Sequence, residues 1–162
     1  ILAGLIPLTV ITFEIPLLSD VYSDIVLKTH VSFAYVFYWT VCFSYFLFIN
    51  MLIYEINKDI YSINGDRADG IVTLPVKFGV LATKKVIVGL IIIAVISLIL
   101  FLLFGFAQIP IIWIYFIIAL IIPYLIYGYA ILKNNNMKFQ LRMIRLIMVL
   151  CMGICVFCKL CE

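Results

Sequence analysis

Charged residues are scarce in this sequence. Only 12% of its 162 residues are charged, whereas an ordinary soluble domain has about 25%. Apolar residues make up 67% of the chain, and the mean hydropathy of +1.30 is too high for a protein that keeps a polar shell in water. These values exclude a soluble enzyme, a nucleic-acid-binding domain and a disordered tail, and they indicate a polytopic membrane protein.

Histidine and paired cysteines, the residues of many metal sites, are also rare. The one histidine, His30, lies alone, so histidine-based catalysis is not expected. Three of the five cysteines, Cys151, Cys155 and Cys158, recur at helical spacing in an apolar segment. No histidine or second cysteine pair accompanies them to complete a tetrahedral zinc site. We therefore expect these thiols to pack as small apolar side chains.

Long uncharged runs occupy most of the chain and predict an all-α integral membrane protein, a polytopic bundle of transmembrane helices. Residues 31–53, 86–107 and 109–132 are each long enough to cross a hydrocarbon core of about 30 Å as a helix. Residues 138–158 form a weaker span that begins with two arginines able to reach the interface. Residues 1–13 are interpreted as the end of a truncated span, so we expect a fragment with about five spans.

Positive charge is concentrated in two segments. Of the eleven lysines and arginines, five lie in residues 54–85 and four in residues 133–145, whereas residues 14–30 are net acidic. Segments on the cytoplasmic side of membrane proteins carry an excess of lysine and arginine. We therefore expect residues 54–85 to form a motif loop on the cytoplasmic side, with the bacterial inner (plasma) membrane as the expected location. This topology explains the net charge of +3, and no nucleic-acid partner is expected.

Acidic residues are concentrated directly after the first complete span. Residues 55–79 hold four of the eight acidic residues. If the helix of residues 31–53 continues into this segment, four polar positions fall within an arc of roughly 60°. They are Glu55, Asp59, Ser62 and Asp66. Carboxylates on one helix face repel each other unless a cation compensates, and Mg²⁺ binds carboxylate oxygens together with water and phosphates.

Basic residues alternate with these acids and are suited to holding an anion. They are Lys58, Arg67 and Lys77. Acids for a metal and bases for phosphate together suggest a diphosphate site at the membrane surface. Alternatively, the segment is charged only because it is exposed to water, and Gly65, Gly70 and Pro75 are ordinary turn residues. The spacing alone leaves both interpretations open.

A longer pattern in this segment resembles a known family. The string from Gly65 to Val76, Gly-Asp-Arg-x-x-Gly-Ile-x-Thr-Leu-Pro-Val, resembles the second aspartate-rich motif of the UbiA superfamily of intramembrane prenyltransferases. The upstream string from Glu55 to Ile60, Glu-Ile-x-Lys-Asp-Ile, resembles the lead-in of several branches. Members have nine transmembrane helices around a central cavity. The resemblance implies that residues 1–162 are the C-terminal half of such a domain, roughly helices five to nine.

The resemblance implies a membrane prenyltransferase. It would transfer an isoprenyl chain from a polyprenyl diphosphate to an aromatic or lipid acceptor, with Mg²⁺-assisted loss of pyrophosphate. Asp59 and Asp66 would be the catalytic and metal-binding residues, with Glu55 as a weaker ligand and Ser62 acting through a bound water. The residues that would bind the diphosphate are Lys58, Arg67 and Lys77. In the family, a first motif, Asn-Asp-x-x-Asp-x-x-x-Asp, completes the binding site for Mg²⁺ and the diphosphate.

Three departures from the family pattern limit these expectations. Ser62 stands where many members carry aspartate, and Tyr54 replaces the lead-in arginine. The first motif does not occur in residues 1–162, so the fragment alone is expected to be inactive. The acceptor stays open among quinone-precursor aromatics, a glycerol-phosphate lipid and a chlorin, because the lead-in string and Ser62 favour different branches.

Two readings from other classes compete with the prenyltransferase. The first is a non-catalytic membrane subunit or transporter half with a cation-binding acidic loop. Transporters place charges inside their spans, whereas residues 31–53, 86–107 and 109–132 contain none, which argues against ion coupling. The second is a CDP-alcohol phosphatidyltransferase, whose Asp-Gly-x-x-Ala-Arg core is missing from the sequence.

Overall fold

A computed structural model describes most of the chain after residue 32. The described residues are Ile6, Thr9, 33–105, 110–133 and 136–160. Side chains are described for Ile6, Thr9, 41–104, 113–133 and 136–151. The truncated span predicted at residues 1–13 lies outside the described residues except for Ile6 and Thr9, and the acidic segment of residues 14–30 lies wholly outside them.

All regular secondary structure in the described ranges is helical. The helices are α1 (Phe33–Ala68), α2 (Leu74–Phe78), α3 (Val80–Gly105), α4 (Pro110–Phe116), a π-helical segment (Ile117–Ile121), α5 (Ile122–Lys133) and α6 (Met137–Leu160). The chain divides into two compact units, residues 1–51 and residues 52–162. Helix α1 passes through the boundary between the units. The site described below belongs to the second unit.

The described part of the first unit consists mainly of the start of α1, where the span of residues 31–53 was predicted. The segment is helical from Phe33 onwards. The buried side-chain amide of Asn50 donates a hydrogen bond of 2.9 Å to the Phe46 carbonyl one turn earlier. A polar group in an apolar helix is thereby satisfied by its own backbone.

The second unit is built around the packing of α3 against α5 and of α5 against α6. Helix α3 buries a stripe that repeats every three or four residues, as expected for one helix face. The stripe is Ile87, Ile91, Ala94, Leu98 and Leu102. Gly128 of α5 lies opposite this stripe, where an added Cβ would stand 3.8 Å from Cδ1 of Ile91. This is an ordinary van der Waals distance, so Gly128 marks the point where α5 faces the stripe of α3, and a Cβ would also fit there.

Large apolar side chains also cover the outer faces of these helices. Phe104 of α3 is 84% exposed and Val149 of α6 is 68% exposed. Such exposure is unfavourable in water but is ordinary for side chains that face lipid. By length and composition, Val80–Phe104 and Trp113–Lys133 are candidate membrane spans among the described residues. They correspond to the predicted spans 86–107 and 109–132, and the total of five spans stays a prediction.

The π-helical segment Ile117–Ile121 precedes Pro123 inside the second of these candidate spans. Proline has no N–H to donate and its ring clashes with the carbonyl four residues earlier. The N–H of Ile122 bonds the Ile117 carbonyl, five residues back, so the turn ahead of Pro123 is wider than in an α-helix. Pro123 is thus accommodated by a local change of helix type.

The segment of residues 54–85, predicted as a motif loop, is largely helical. Helix α1 continues to Ala68, α2 covers Leu74–Phe78, and α3 begins at Val80. No proline or glycine interrupts the chain between Ile53 and Gly65, so nothing breaks the helix at the end of the predicted span. The continuation places the acidic motif on a helix, as the shared-face argument requires.

Gly70 ends α1 in a left-handed conformation with φ of +70°. The Ile71 N–H bonds the Asp66 carbonyl at 2.8 Å and the Gly70 N–H bonds the Arg67 carbonyl at 3.4 Å. These two bonds form a Schellman motif, which requires a residue that tolerates positive φ. The chain therefore reverses directly after Asp66 and brings Thr73 back towards the helix.

We expect Gly70→Ala to lower the free energy of unfolding by about 1–2 kcal/mol, because a side chain disfavours left-handed backbone. The matched control is Gly65→Ala, where an added Cβ has no heavy atom within 4 Å. That change should stabilise the helix by about 0.5–1 kcal/mol. Thermal unfolding of the two purified variants in detergent measures both effects. Equal unfolding temperatures would contradict the turn assignment.

Candidate functional site

The rotation of α1 about its axis determines where the acidic motif points. The buried side chains of the motif half of α1 recur at offsets of zero, three, four and seven. They are Ile53, Ile56, Asn57 and Ile60. Asp59, Ser62 and Asp66 lie beside this buried stripe and are partly exposed. The apolar stripe therefore holds the carboxylates at the edge of the packed surface, where they are reachable and partly desolvated.

A buried hydrogen bond connects this part of α1 to α5. The side-chain amide of Asn57 and the hydroxyl of Tyr127 are 3.1 Å apart, and both residues are almost completely buried. Asn57 lies two positions before Asp59, so the bond restrains the helix close to that carboxylate. In the lead-in string from Glu55 to Ile60, Asn57 stands at a variable position, so the family pattern gives it no role. The available signal was a polar residue on the apolar stripe, because such a residue needs a partner.

Asp66 lies within hydrogen-bond distance of two hydroxyl groups, of which the Ser62 hydroxyl also lies 3.3 Å from the Lys58 carbonyl and shares its single proton between the two acceptors. Oδ2 of Asp66 lies 3.2 Å from Oγ of Ser62 and 3.1 Å from Oγ1 of Thr73. Thr73 is the N-cap residue of α2, yet its hydroxyl makes no cap hydrogen bond and is directed to Asp66 instead. The Oδ1 atom of Asp66 has no hydrogen-bond partner within the described part of the chain. One oxygen of the carboxylate is thus held in place, and the other is available for a ligand.

Asp59 lies in a negative electrostatic environment. Burial raises the pKa of its carboxyl above the ordinary value of 3.8. The charges of Asp66 and Glu55 raise this pKa further, and the Lys58 ammonium opposes them with a smaller effect. The contributions of Asp66 and Glu55 to this pKa indicate that the Lys58 ammonium does not balance the negative charge on this face. A bound cation would relieve the deficit.

The three predicted diphosphate-binding cations are all exposed. Nζ of Lys58 lies 3.7 Å from the Glu55 carboxylate, and Nζ of Lys77 lies 5.3 Å from the centre of the Phe78 ring. Arg67 is in the last turn of α1. Within the described ranges, neither Arg67 nor Lys77 forms an ion pair with a carboxylate. The structure groups the carboxylates and hydroxyls but does not bring all three cations to them.

The donor set is suited to Mg²⁺ as one part of a shared site. Among the described residues, no three histidine, cysteine, aspartate or glutamate side chains form a group that could hold a metal by themselves. Mg²⁺ is usually bound by one or two carboxylates, with water and substrate phosphates completing its shell. Asp59 and Asp66 supply two partly exposed carboxylates on one face of α1, with Glu55 on the same face. Ser62 contacts Asp66 and would act through it or through water.

The sequence was compared with protein families, with curated proteins and with solved structures. The model of the UbiA prenyltransferase family matches residues 8–152. The chain belongs to this family. The resemblance inferred from the motif residues is thereby confirmed, and the protein is a membrane prenyltransferase in general terms. No curated protein and no solved structure matches the chain.

Family membership gives the hydroxyl of Thr73 a role that sequence reasoning did not assign. Thr73 is the threonine of the UbiA motif string, and it returns to Asp66 only because the chain turns at Gly70. A hydroxyl that holds one carboxylate oxygen restricts the direction in which the other oxygen can bind. Thr73 is therefore a candidate positioning residue for Asp66.

We expect Thr73→Val to raise the Mg²⁺ concentration for half-maximal prenyl transfer by about tenfold, as for loss of about 1.4 kcal/mol of hydrogen bonding to a charged group. Helix α2 should be unaffected, since the Thr73 hydroxyl does not cap it. Thr73→Ser keeps the hydroxyl and should retain the wild-type Mg²⁺ dependence. A magnesium titration of the three proteins in membranes tests this, and an equal loss in both variants would contradict the positioning role.

Proposed function

We propose that this UbiA-family protein transfers an isoprenyl chain from a polyprenyl diphosphate to an aromatic or lipid acceptor, with Mg²⁺ as cofactor. The observation that carries the proposal is the arrangement of Asp59 and Asp66 on one face of α1. The pKa of the Asp59 carboxyl is raised by burial and, to a smaller extent, by its acidic neighbours, and the Asp66 carboxylate lies within hydrogen-bond distance of two hydroxyls. This arrangement is suited to a divalent cation shared with a phosphate ligand.

The proposed reaction assigns separate tasks to the side chains. The carbon–oxygen bond of the donor breaks, its electron pair leaves on pyrophosphate, and the acceptor forms a bond to the allylic carbon and loses a proton. Mg²⁺, when bound, neutralises the negative charge that builds on the leaving group. Asp59 and Asp66 hold the cation, and Glu55 contributes more weakly. The exposed bases Lys58, Arg67 and Lys77 bind the diphosphate oxygens.

The proposal places the acidic end of α1 on the cytoplasmic side of a bacterial inner membrane. The distribution of lysine and arginine supports this orientation, and water-soluble diphosphate and Mg²⁺ are accessible there. The acceptor stays open among quinone-precursor aromatics, glycerol-phosphate lipids and chlorins. The first aspartate-rich motif of the family is absent from residues 1–162. Activity tests therefore use the protein expressed from its complete natural gene.

The direct test is an assay of donor cleavage. Membranes containing the protein are incubated with a radiolabelled polyprenyl diphosphate, Mg²⁺ and each acceptor class in turn. We expect pyrophosphate release that requires Mg²⁺, stops with EDTA, and accompanies transfer of label to one acceptor class. A cation-binding subunit would bind Mg²⁺ without cleaving the donor. Absence of cleavage with every acceptor would therefore favour that reading.

A further inference from the structure

A groove opens between α5 and α6 at the end opposite to Pro123 along α5. It has a volume of about 440 Å³ and is lined by Ile126, Tyr129, Ala130, Lys133 and Phe139. Its walls are hydrocarbon and aromatic surface, and its one charged lining residue is Lys133. The two walls are joined below the rim, because the Gln140 amide donates a hydrogen bond of 3.3 Å to the Ala130 carbonyl. The groove is thus formed by packed helices.

The ammonium group at the rim is held in position. Nζ of Lys133 donates a hydrogen bond of 2.7 Å to the Tyr129 hydroxyl and lies 5.3 Å from the centre of that ring. An ammonium has three donors. At most one of them is used by this hydrogen bond, so Lys133 can bind an anion at the rim without leaving its tyrosine.

The charged residues in the described parts of α5 and α6, the two helices that form the groove, are all basic. The sequence contains no aspartate or glutamate between Asp69 and Glu162, so no carboxylate of α5 or α6 competes for Lys133. Arg142 follows Phe139 by three residues and therefore lies on the same side of α6 as that lining side chain. The rim of the groove is consequently complementary to an anion.

The positions of the charged and apolar lining residues along the candidate span are suited to an amphiphilic ligand. Lys133 is the last residue of the candidate span Trp113–Lys133, whereas Ile126 lies almost two turns further into that span. A ligand with its negative group at Lys133 would therefore place its hydrocarbon against Ile126 and Ala130, towards the membrane interior. Basic pockets between helices at the membrane surface commonly bind anionic lipid head groups.

We propose that this groove binds an anionic phospholipid, with the phosphate at Lys133 and one acyl chain in the apolar trough. The groove contains none of the residues assigned to prenyl transfer. The proposal of a lipid site therefore does not depend on the proposed reaction, and the two can be tested separately.

The experiment is native mass spectrometry of the detergent-purified protein, titrated separately with phosphatidylglycerol and phosphatidylcholine of the same acyl chains. We expect preferential retention of phosphatidylglycerol. Lys133→Gln should weaken its binding by about fivefold, the effect of one basic residue near a membrane surface. Lys133→Gln combined with Arg142→Gln should weaken it by about 25-fold. Phosphatidylcholine binding should change little in either variant.

Two further variants distinguish specific binding in the groove from a general effect of positive surface charge. Lys85→Gln removes the same charge from an exposed position on α3 and should leave phosphatidylglycerol binding unchanged. Ile126→Trp fills the trough without changing charge and should weaken the binding of both lipids. Equal losses in Lys85→Gln and Lys133→Gln would overturn the proposal, as would displacement of phosphatidylglycerol by glycerol phosphate alone. Unchanged unfolding temperatures of the variants show that a loss of binding is not a loss of folding.

Discussion

Asp59→Ala and Asp66→Ala should each lower prenyl transfer in membranes by about 100-fold or more. Under the proposed function, each change removes a carboxylate that would hold Mg²⁺ against the leaving group, and loss of one preorganised electrostatic contact of this kind typically costs about 10²–10³ in rate. Folding should be retained, because both side chains are partly exposed beside the buried stripe of α1. The measurement is turnover of a labelled polyprenyl diphosphate at saturating Mg²⁺, together with the amount of folded protein in the membrane.

The matched control is Asp69→Ala. Asp69 carries the same charge and lies three residues after Asp66, but it is exposed and follows the end of α1. Its removal should leave turnover within a factor of about two, as for an ordinary surface charge. Turnover above a tenth of wild type in both the Asp59 and the Asp66 variants would count decisively against the magnesium assignment.

Ser62→Asp should lower the Mg²⁺ concentration for half-maximal rate by about tenfold or more. The Ser62 hydroxyl lies 3.2 Å from the Asp66 carboxylate, so an aspartate there would oppose a like charge. At an effective dielectric constant of about 20, two unit charges about 4 Å apart repel by about 4 kcal/mol. A divalent cation between them converts this repulsion into attraction. The variant should accordingly be less stable than wild type in EDTA and regain stability with Mg²⁺.

Asn64→Asp is the control for this experiment. Position 64 lies nine residues after Glu55, which places it about 180° from Glu55 around the helix, and its side chain is exposed. The same added charge at that position should leave the Mg²⁺ dependence unchanged. If Ser62 instead contacts the diphosphate, Ser62→Asp should lower the rate by up to about three orders of magnitude at every Mg²⁺ concentration. A variant equal to wild type would place position 62 outside the site.

Much of the helical organisation was predictable because it depends on local sequence. Uncharged runs long enough to cross a membrane predicted the spans 86–107 and 109–132, and the structure has candidate spans at Val80–Phe104 and Trp113–Lys133. The family was recognisable from the string between Gly65 and Val76, and the match over residues 8–152 confirms it. The predicted ends of the helices were less accurate than their existence. Residues 54–68 continue a helix because the polar residues that suggested a loop are compatible with an exposed helix.

Some features of the candidate site could be predicted from local sequence, and others depend on how the chain folds. The shared face of Asp59, Ser62 and Asp66 follows from helix geometry once α1 is known to continue. The contact of Thr73 with Asp66 depends on the reversal at Gly70, whose φ of +70° is set by the turn it closes. The roles of Lys58, Arg67 and Lys77 stay predictions, because exposed long side chains are not oriented by packing.

The amino-acid sequence is sufficient to identify a helical membrane protein of the UbiA family with an acidic motif at the end of a helix. Those properties come from composition, spacing and short-range periodicity, which act between neighbours in the chain. Two features are visible only in the folded structure: the pairing of Asn57 with Tyr127, which are separated by 70 residues, and the groove between α5 and α6. Such contacts depend on which helices pack together and at what rotation, and apolar helix faces of similar composition leave that choice to the complementarity of their surfaces.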